Sequence, residues 1–252
     1  MLKQRIIPSL LLKDGRMVKG KNFANFRDVG DPVTAAKVYN AQKVDELVFL
    51  DIRPTAQSRE QVREIIQAAA SECFMPLTVG GGVRTVEDVR HLLTIGADKV
   101  AINSAAVRSP QLIGEAAELF GDQCVVVSVD YRLNDAGKRT VWIDSGTLDT
   151  GLDPLQHVLR CVALGAGEIL LTSIDQEGTL AGYDFDYLDE VARAVRVPVI
   201  ASGGAGRLED FYRALTTTHV SAVSAASIFH FTDQSPIKAR FFLSNSGVNV
   251  RV

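Results

Sequence analysis

Two stretches of sixteen residues in this chain echo each other. TVGGGVRTVEDVRHLL at 78–93 returns as IASGGAGRLEDFYRAL at 200–215, with Gly81-Gly82 falling on Gly203-Gly204 at an offset of 203 − 81 = 122. The apolar run DELVFLD from Asp45 returns as GEILLTS from Gly167, again at 122. RIIPSLL from Arg5 matches CVVVSVD from Cys124 at 119, and VAINS from Val100 matches VSAAS from Val223 at 123. A nearly constant offset over half the chain points to two copies of one unit rather than to the generic likeness of strand–helix pairs.

Eight short apolar runs are predicted as strands: Ile6–Leu11, Leu47–Leu50, Leu77–Val79, Val100–Ile102, Cys124–Val129, Ile169–Thr172, Val199–Ala201 and Ala222–Ala225. Amphipathic stretches such as REQVREIIQAAASE and FDYLDEVARAV separate them. Alternating strands and helices give a parallel sheet, and strands without polar alternation are buried on both faces. Two (βα)4 copies close into a (βα)8 TIM barrel, so the reading is one barrel over 1–252, with half-barrels at about 1–121 and 122–252. Two longer loops follow the first strand of each half, Asp14–Asp31 and Tyr131–Asp153, and the second contains a small hairpin in KRTVWIDSG.

Composition narrows the classes. A chain of 252 residues that is 46% apolar and 23% charged, with net charge −3, lacks the strongly basic face expected of a nucleic-acid binder. Three scattered cysteines, Cys73, Cys124 and Cys161, make neither a disulfide framework nor a zinc motif. No run approaches the length of a membrane span, and MLKQRIIPSL is too soon interrupted by Pro8 for a signal peptide. The expectation is a reduced, cytoplasmic protein with no metal and no cofactor.

Barrel enzymes act at the C-terminal ends of their strands. Both Gly-Gly pairs lie there, each between a strand and a helix, where backbone N–H groups suit a phosphate dianion. The neighbouring loops end in Asn103-Ser104 and Ala226-Ser227, each adding a hydroxyl. Two such sites across one mouth suit a ligand with a phosphate at each end; tight βα turns alone are the plainer alternative. Acids stand at several strand ends: Asp51, Asp130, Asp175 and Glu177, with Lys19 on the first long loop. Asp130 ends a wholly apolar run, where desolvation raises a carboxyl pKa and fits it for proton transfer. Under the 119 offset its mate is Leu11. Symmetric acid/base work would need a carboxylate at both positions, and only one is present. At the opposite face Arg5, Glu46, Lys99 and Glu168 precede four strands, which spacing alone assigns to stability.

These residues resemble the cyclase subunit family of imidazole glycerol phosphate synthase, from histidine biosynthesis. The motifs run the length of the chain: RII, KDGR, GDPV, DELVFLDI, TVGGGV, GAGEILLTSID, IASGGAG and the ending GVNVR. The resemblance implies a duplicated (βα)8 fold, a ribonucleotide substrate with two phosphates, and a glutaminase subunit docked on the barrel's N-terminal face. Ammonia then crosses the barrel to the mouth. It implies phosphate contacts at Gly81, Gly82, Asn103 and Ser104 in one half, and at Gly178, Gly203, Gly204, Ala226 and Ser227 in the other. It implies substrate contacts at Ser9, Lys19, Asp51, Glu177 and Ser202. Ser104 stands where the family has threonine, and Glu177, in IDQEGT, where it has aspartate. The four charges at the opposite face match the family's ammonia gate.

The family's catalytic pair is two aspartates, ending strands 1 and 5. Asp130 matches the second and Leu11 replaces the first, so cyclisation loses one acid/base group. A kept gate beside damaged chemistry is similar to a divergent branch associated with surface-polysaccharide biosynthesis. There ammonia passes to a separate sugar amidotransferase that makes an acetamidino group. RIIPSLLLKD and ECFMP carry that likeness. Three readings follow: an ammonia-delivering amidotransferase subunit, a working cyclase (a lyase) of histidine biosynthesis, and a non-catalytic scaffold that activates a glutaminase.

Overall fold

The computed structural model describes residues 3–53 and 56–251, and of residues 56–59 the backbone alone. Its strands are β1 (Arg5–Lys13), β2 (Arg16–Lys21), β3 (Ala24–Gly30), β4 (Leu47–Asp51), β5 (Leu77–Gly80), β6 (Lys99–Ile102), β7 (Val125–Leu133), β8 (Arg139–Ile143), β9 (Leu148–Asp149), β10 (Glu168–Ser173), β11 (Val199–Ser202) and β12 (Ala222–Ala225). Among the described residues, eight of these pair in parallel in the order β10-β11-β12-β1-β4-β5-β6-β7. Pairing of β7 with β10, from Glu168↔Val126 to Ser173↔Tyr131, closes the ring. The fold is a (βα)8 TIM barrel.

Helices lie between the barrel strands: α1 (Pro32–Ala41), α2 (Ala56–Glu72), α3 (Val86–Thr94), α4 (Ser104–Arg108), α5 (Gln111–Phe120), α6 (Pro154–Ala163), α7 (Phe185–Ala194), α8 (Leu208–Thr217), α9 (Ser227–Phe231) and α10 (Pro236–Asn245). Their starts follow local chemistry. Asp31, Asp153 and Ser235 each precede a proline and accept a backbone N–H two or three residues into the helix. Proline at the first helical position loses nothing, because its N–H would be unpaired there anyway. Thr85 and Asp88 close a reciprocal capping box at α3.

Alternation along the strands sorts the barrel interior into layers. Ile7, Val48, Ala101, Val126, Leu170, Ile200 and Ala222 form one buried apolar cluster across seven strands. Two residues further along each strand lie Ser9, Leu50, Asn103, Ser128, Thr172, Ser202 and Ser224, which all line the mouth. Two residues before lie Arg5, Glu46, Lys99 and Glu168. The strands look uniformly apolar in sequence because their outward residues pack against helices.

The sequence expectation of a loop over Asp14–Asp31 is overturned. β1 runs on to Lys13 and folds back through β2 and β3, with Lys13↔Arg16 and Lys21↔Ala24 flanking two-residue turns. Asp14, Gly15, Asn22 and Phe23 all carry positive φ, as mirror-image hairpin turns require. Lys19 therefore sits on a strand. Cys124 belongs to a 3-10 turn over Asp122–Cys124, and the fifth barrel strand starts at Val125. The second long loop holds the expected hairpin, β7–β8–β9. The first strand of each half thus continues into an antiparallel excursion over the mouth. Among the described residues, no helix is long and apolar enough to cross a membrane.

Candidate functional site

A cavity of about 570 Å³ opens at the C-terminal ends of the strands. Leu11 and Asp130 both line it, each 9% exposed. Asn103 Nδ2 donates to Asp130 Oδ2 at 3.1 Å and to the Ser128 carbonyl at 3.0 Å, which fixes the carboxyl from the neighbouring strand. Burial pushes the Asp130 carboxyl up to about 7, against hydrogen bonds from Thr172, Asn103 and Ser128 that pull it back. A carboxyl tuned near neutrality exchanges protons at physiological pH.

For an acid held above its ordinary pKa, the protonated form is the one folding favours. Stability from Asp130 is full below about pH 4 and is lost as pH rises to about 7. The expected outcome for Asp130→Asn is a stability difference from the native chain that shifts in the variant's favour by roughly 4 kcal/mol between pH 4 and 8. Urea unfolding of the two proteins at several pH values measures it, and parallel curves would contradict the desolvated carboxyl.

Lys19 is 2% exposed and pairs with Glu177, across the mouth from β2 to the loop after β10. Burial pushes the Lys19 ammonium down to about 7, so it too is able to trade a proton. The Asn22 amide donates to the Glu177 carbonyl at 2.8 Å, and Asn22 Nδ2 to the Asp175 carbonyl at 2.7 Å. Gly178 faces the backbone of Gly20, where an added Cβ would strike the carbonyl oxygen. The β2–β3 hairpin is therefore docked onto the loop that carries Glu177.

The glycine pairs occupy equivalent places. A Cβ on Gly81 would strike the backbone of Asp51, and one on Gly203 the backbone of Ser173. These contacts keep the sequence offset, 173 − 51 = 122. A Cβ on Gly204 would strike the Gly182 carbonyl at a φ of 113°, a conformation side chains avoid. Gly178, Gly203, Gly204, Ala226 and Ser227 line one small recess, with Ser224 between it and the main cavity. The hydroxyls of Ser224 and Ser227 are buried there with no hydrogen-bond partner. Buried polar groups are normally satisfied, and two unpartnered hydroxyls in one recess can both hydrogen-bond to a polar group seated there. Gly81, Gly82, Asn103 and Ser104 line the main cavity, with Gly81 against the Asp51 backbone, and Ser9, Asp51 and Ser202 line it too. The sequence reading missed Arg53, Arg84 and Arg108, which line that cavity.

At the opposite face four charges form a closed ring. Arg5 pairs with Glu46 (2.9 Å) and with Glu168, and Lys99 bridges the same two carboxylates at 2.8 Å each. Thr78 Oγ1 donates to Glu46 Oε1 at 2.6 Å. The apolar layer separates this ring from the mouth.

The protein is a (βα)8 barrel whose polar site, with its desolvated carboxyl and two glycine-lined ends, lies at the C-terminal face where barrels of this fold bind their ligands. The chain belongs to the histidine biosynthesis protein family, whose model matches residues 5–235. It is 50% identical over its whole length to the imidazole glycerol phosphate synthase subunit HisF of Hydrogenobaculum sp. (strain Y04AAS1), covering all of that protein. It is also 50% identical, over 100% of this chain and 97% of the relative, to the same subunit of Caulobacter vibrioides (strain NA1000 / CB15N).

Proposed function

We propose that this chain is the cyclase-type barrel of a glutamine amidotransferase resembling imidazole glycerol phosphate synthase, working chiefly to deliver ammonia. The observation that carries the reading is the unequal mouth. Leu11 points into the cavity in the register that Asp130 holds in the other half, and leucine neither donates nor accepts a proton. Asp130 is the one catalytic carboxylate of the pair. A glutaminase docks on the N-terminal face, and the ring of Arg5, Glu46, Lys99 and Glu168 gates the entry of ammonia. Neutral ammonia crosses the apolar layer at little cost, whereas an ammonium ion would pay for desolvation.

Two anion sites hold the ends of a ligand with two phosphates, one at Gly82, Asn103 and Ser104, the other at Gly203, Gly204 and Ser227. Lys19, Asp51 and Glu177 contact its middle. The final acceptor is the acetamido group of a nucleotide sugar, converted to an acetamidino group by a separate amidotransferase.

The retained anion sites favour a second reading, an active cyclase of histidine biosynthesis in which Asp130 works without a carboxylate partner. A cyclase assay with the histidine-pathway ribonucleotide and excess ammonium salt separates the two. Turnover in the native chain that Asp130→Asn abolishes establishes the second reading. No turnover in the native chain, with turnover appearing in Leu11→Asp, overturns the second and supports the first.

A further inference from the structure

The two ends of the mouth differ in one respect. In the recess at Ser227 the hydroxyl has no partner. At the other end the Ser104 hydroxyl is already engaged: it donates to Asn103 Oδ1 at 3.2 Å and accepts the backbone N–H of Asp144 at 3.1 Å. Asp144 belongs to the turn between β8 and β9, in which Asp144, Ser145 and Gly146 all have positive φ. Arg108, one helical turn past Ser104, grips its carboxylate with both guanidinium nitrogens, at 2.9 and 2.5 Å. The Ser145 hydroxyl donates to the Ile52 carbonyl at 2.7 Å, just beyond β4. Phe23, at the tip of the first hairpin, packs against Gly146. The turn thus covers the Gly82–Ser104 end and touches the hairpin that closes over the mouth.

We infer that Arg108 is a ligand for the phosphate at this end, held in reserve by Asp144, so that the anion displaces the Asp144 carboxylate when it binds. This rests on the reading of that end as a phosphate site. Three observations carry it. Arg108 and Asp144 line the same cavity as Gly82 and Ser104, and the Asp144 N–H reaches the Ser104 hydroxyl. Their pair is about half exposed, at 53% and 40%, so an anion from solvent can reach both groups. A phosphate dianion offers the same two-pronged geometry as a carboxylate with more charge, so the fork prefers it. Nothing equivalent is needed at Ser227, whose hydroxyl is unengaged. The exchange also frees the Asp144 N–H from Ser104, which lets the serine hydroxyl turn toward the anion. The turn must then move or re-form, and Phe23 carries that change to the first hairpin.

The test is a titration of the full-length, 15N-labelled chain with inorganic phosphate at constant ionic strength, followed by backbone amide shifts. Gly82 and Ser104 report one end, and Gly204 and Ser227 the other. Removing the guanidinium in Arg108→Ala should weaken phosphate about tenfold or more at the first end alone. Removing the competing charge in Asp144→Asn should tighten it up to about fivefold there alone. Unchanged affinity at Gly82 and Ser104 in both variants overturns the role of Arg108 while leaving the phosphate reading intact. No response of Gly82 and Ser104 in the native chain overturns both.

Discussion

Leu11→Asp is expected to raise ammonium-dependent cyclisation by about 10²-fold or more over the native chain, since general acid–base groups contribute 10² to 10⁴ in rate. The position is prepared for a carboxylate in every respect but the residue. Leu11 shares a face of β1 with Ile7 and Ser9, so its side chain enters the mouth, and its strand is fixed in register by Leu11↔Leu50 on one side and Leu11↔Val18 on the other. Aspartate is smaller than leucine, so it forces no repacking. The new carboxylate and Asp130 would then titrate as a pair, with one pKa raised further. Steady-state turnover at saturating ammonium, with the native chain, Leu11→Asp and Leu11→Asn in parallel, measures the effect. Asparagine matches aspartate in shape without its proton chemistry, so equal gains in both variants would assign the effect to polarity and not to acid–base work. A folded Leu11→Asp variant no faster than the native chain would mean that leucine at this place is not what limits cyclisation.

How much was legible in the sequence depended on period and on repetition. The barrel was readable because its strands are short, apolar and regularly separated by amphipathic helices, and because the glycine pairs recur at one offset. The same strands concealed the inward residues. Ser128 and Thr172 sit inside apolar runs and reach Asp130, but a run buried on both faces shows no alternation that marks which residues face in. The first hairpin was missed although KDGR carried its signal, since an Asp-Gly pair suits the mirror-image two-residue turn. Without flanking alternation in β3, where Asn25, Arg27 and Asp28 are polar, the segment carries the pattern of a loop. The three rim arginines were illegible for another reason. Arg53, Arg84 and Arg108 come from three different βα connections, and only the closed barrel brings them to one end of the mouth. The basal ring shows the opposite case: its four residues were named from sequence, but their mutual pairing depends on closure.

Glu46→Gln is expected to destabilise the fold by about 3–5 kcal/mol, because removing one member of a buried charge network leaves its partners uncompensated. Glu46 accepts from Arg5, Lys99 and Thr78, and it is buried. Glutamine keeps the shape and an acceptor for Thr78 but leaves two cations facing Glu168 alone. Urea denaturation gives the magnitude, and a loss below about 1 kcal/mol would show that water already screens the ring as it screens a surface pair. The double variant Glu46→Gln/Lys99→Met removes one charge of each sign and restores neutrality among the four. Its loss should fall well short of the summed single losses, as it does for residues that share one network. The same double variant tells stability from gating. A ring that only closes the floor tolerates a neutral, well-packed replacement without consequence for the mouth. A ring that admits ammonia does not: with a glutaminase partner bound and Leu11→Asp supplying the turnover, glutamine-dependent product at the mouth should fall while product from added ammonium salt is unchanged, because added ammonia reaches the mouth from solvent.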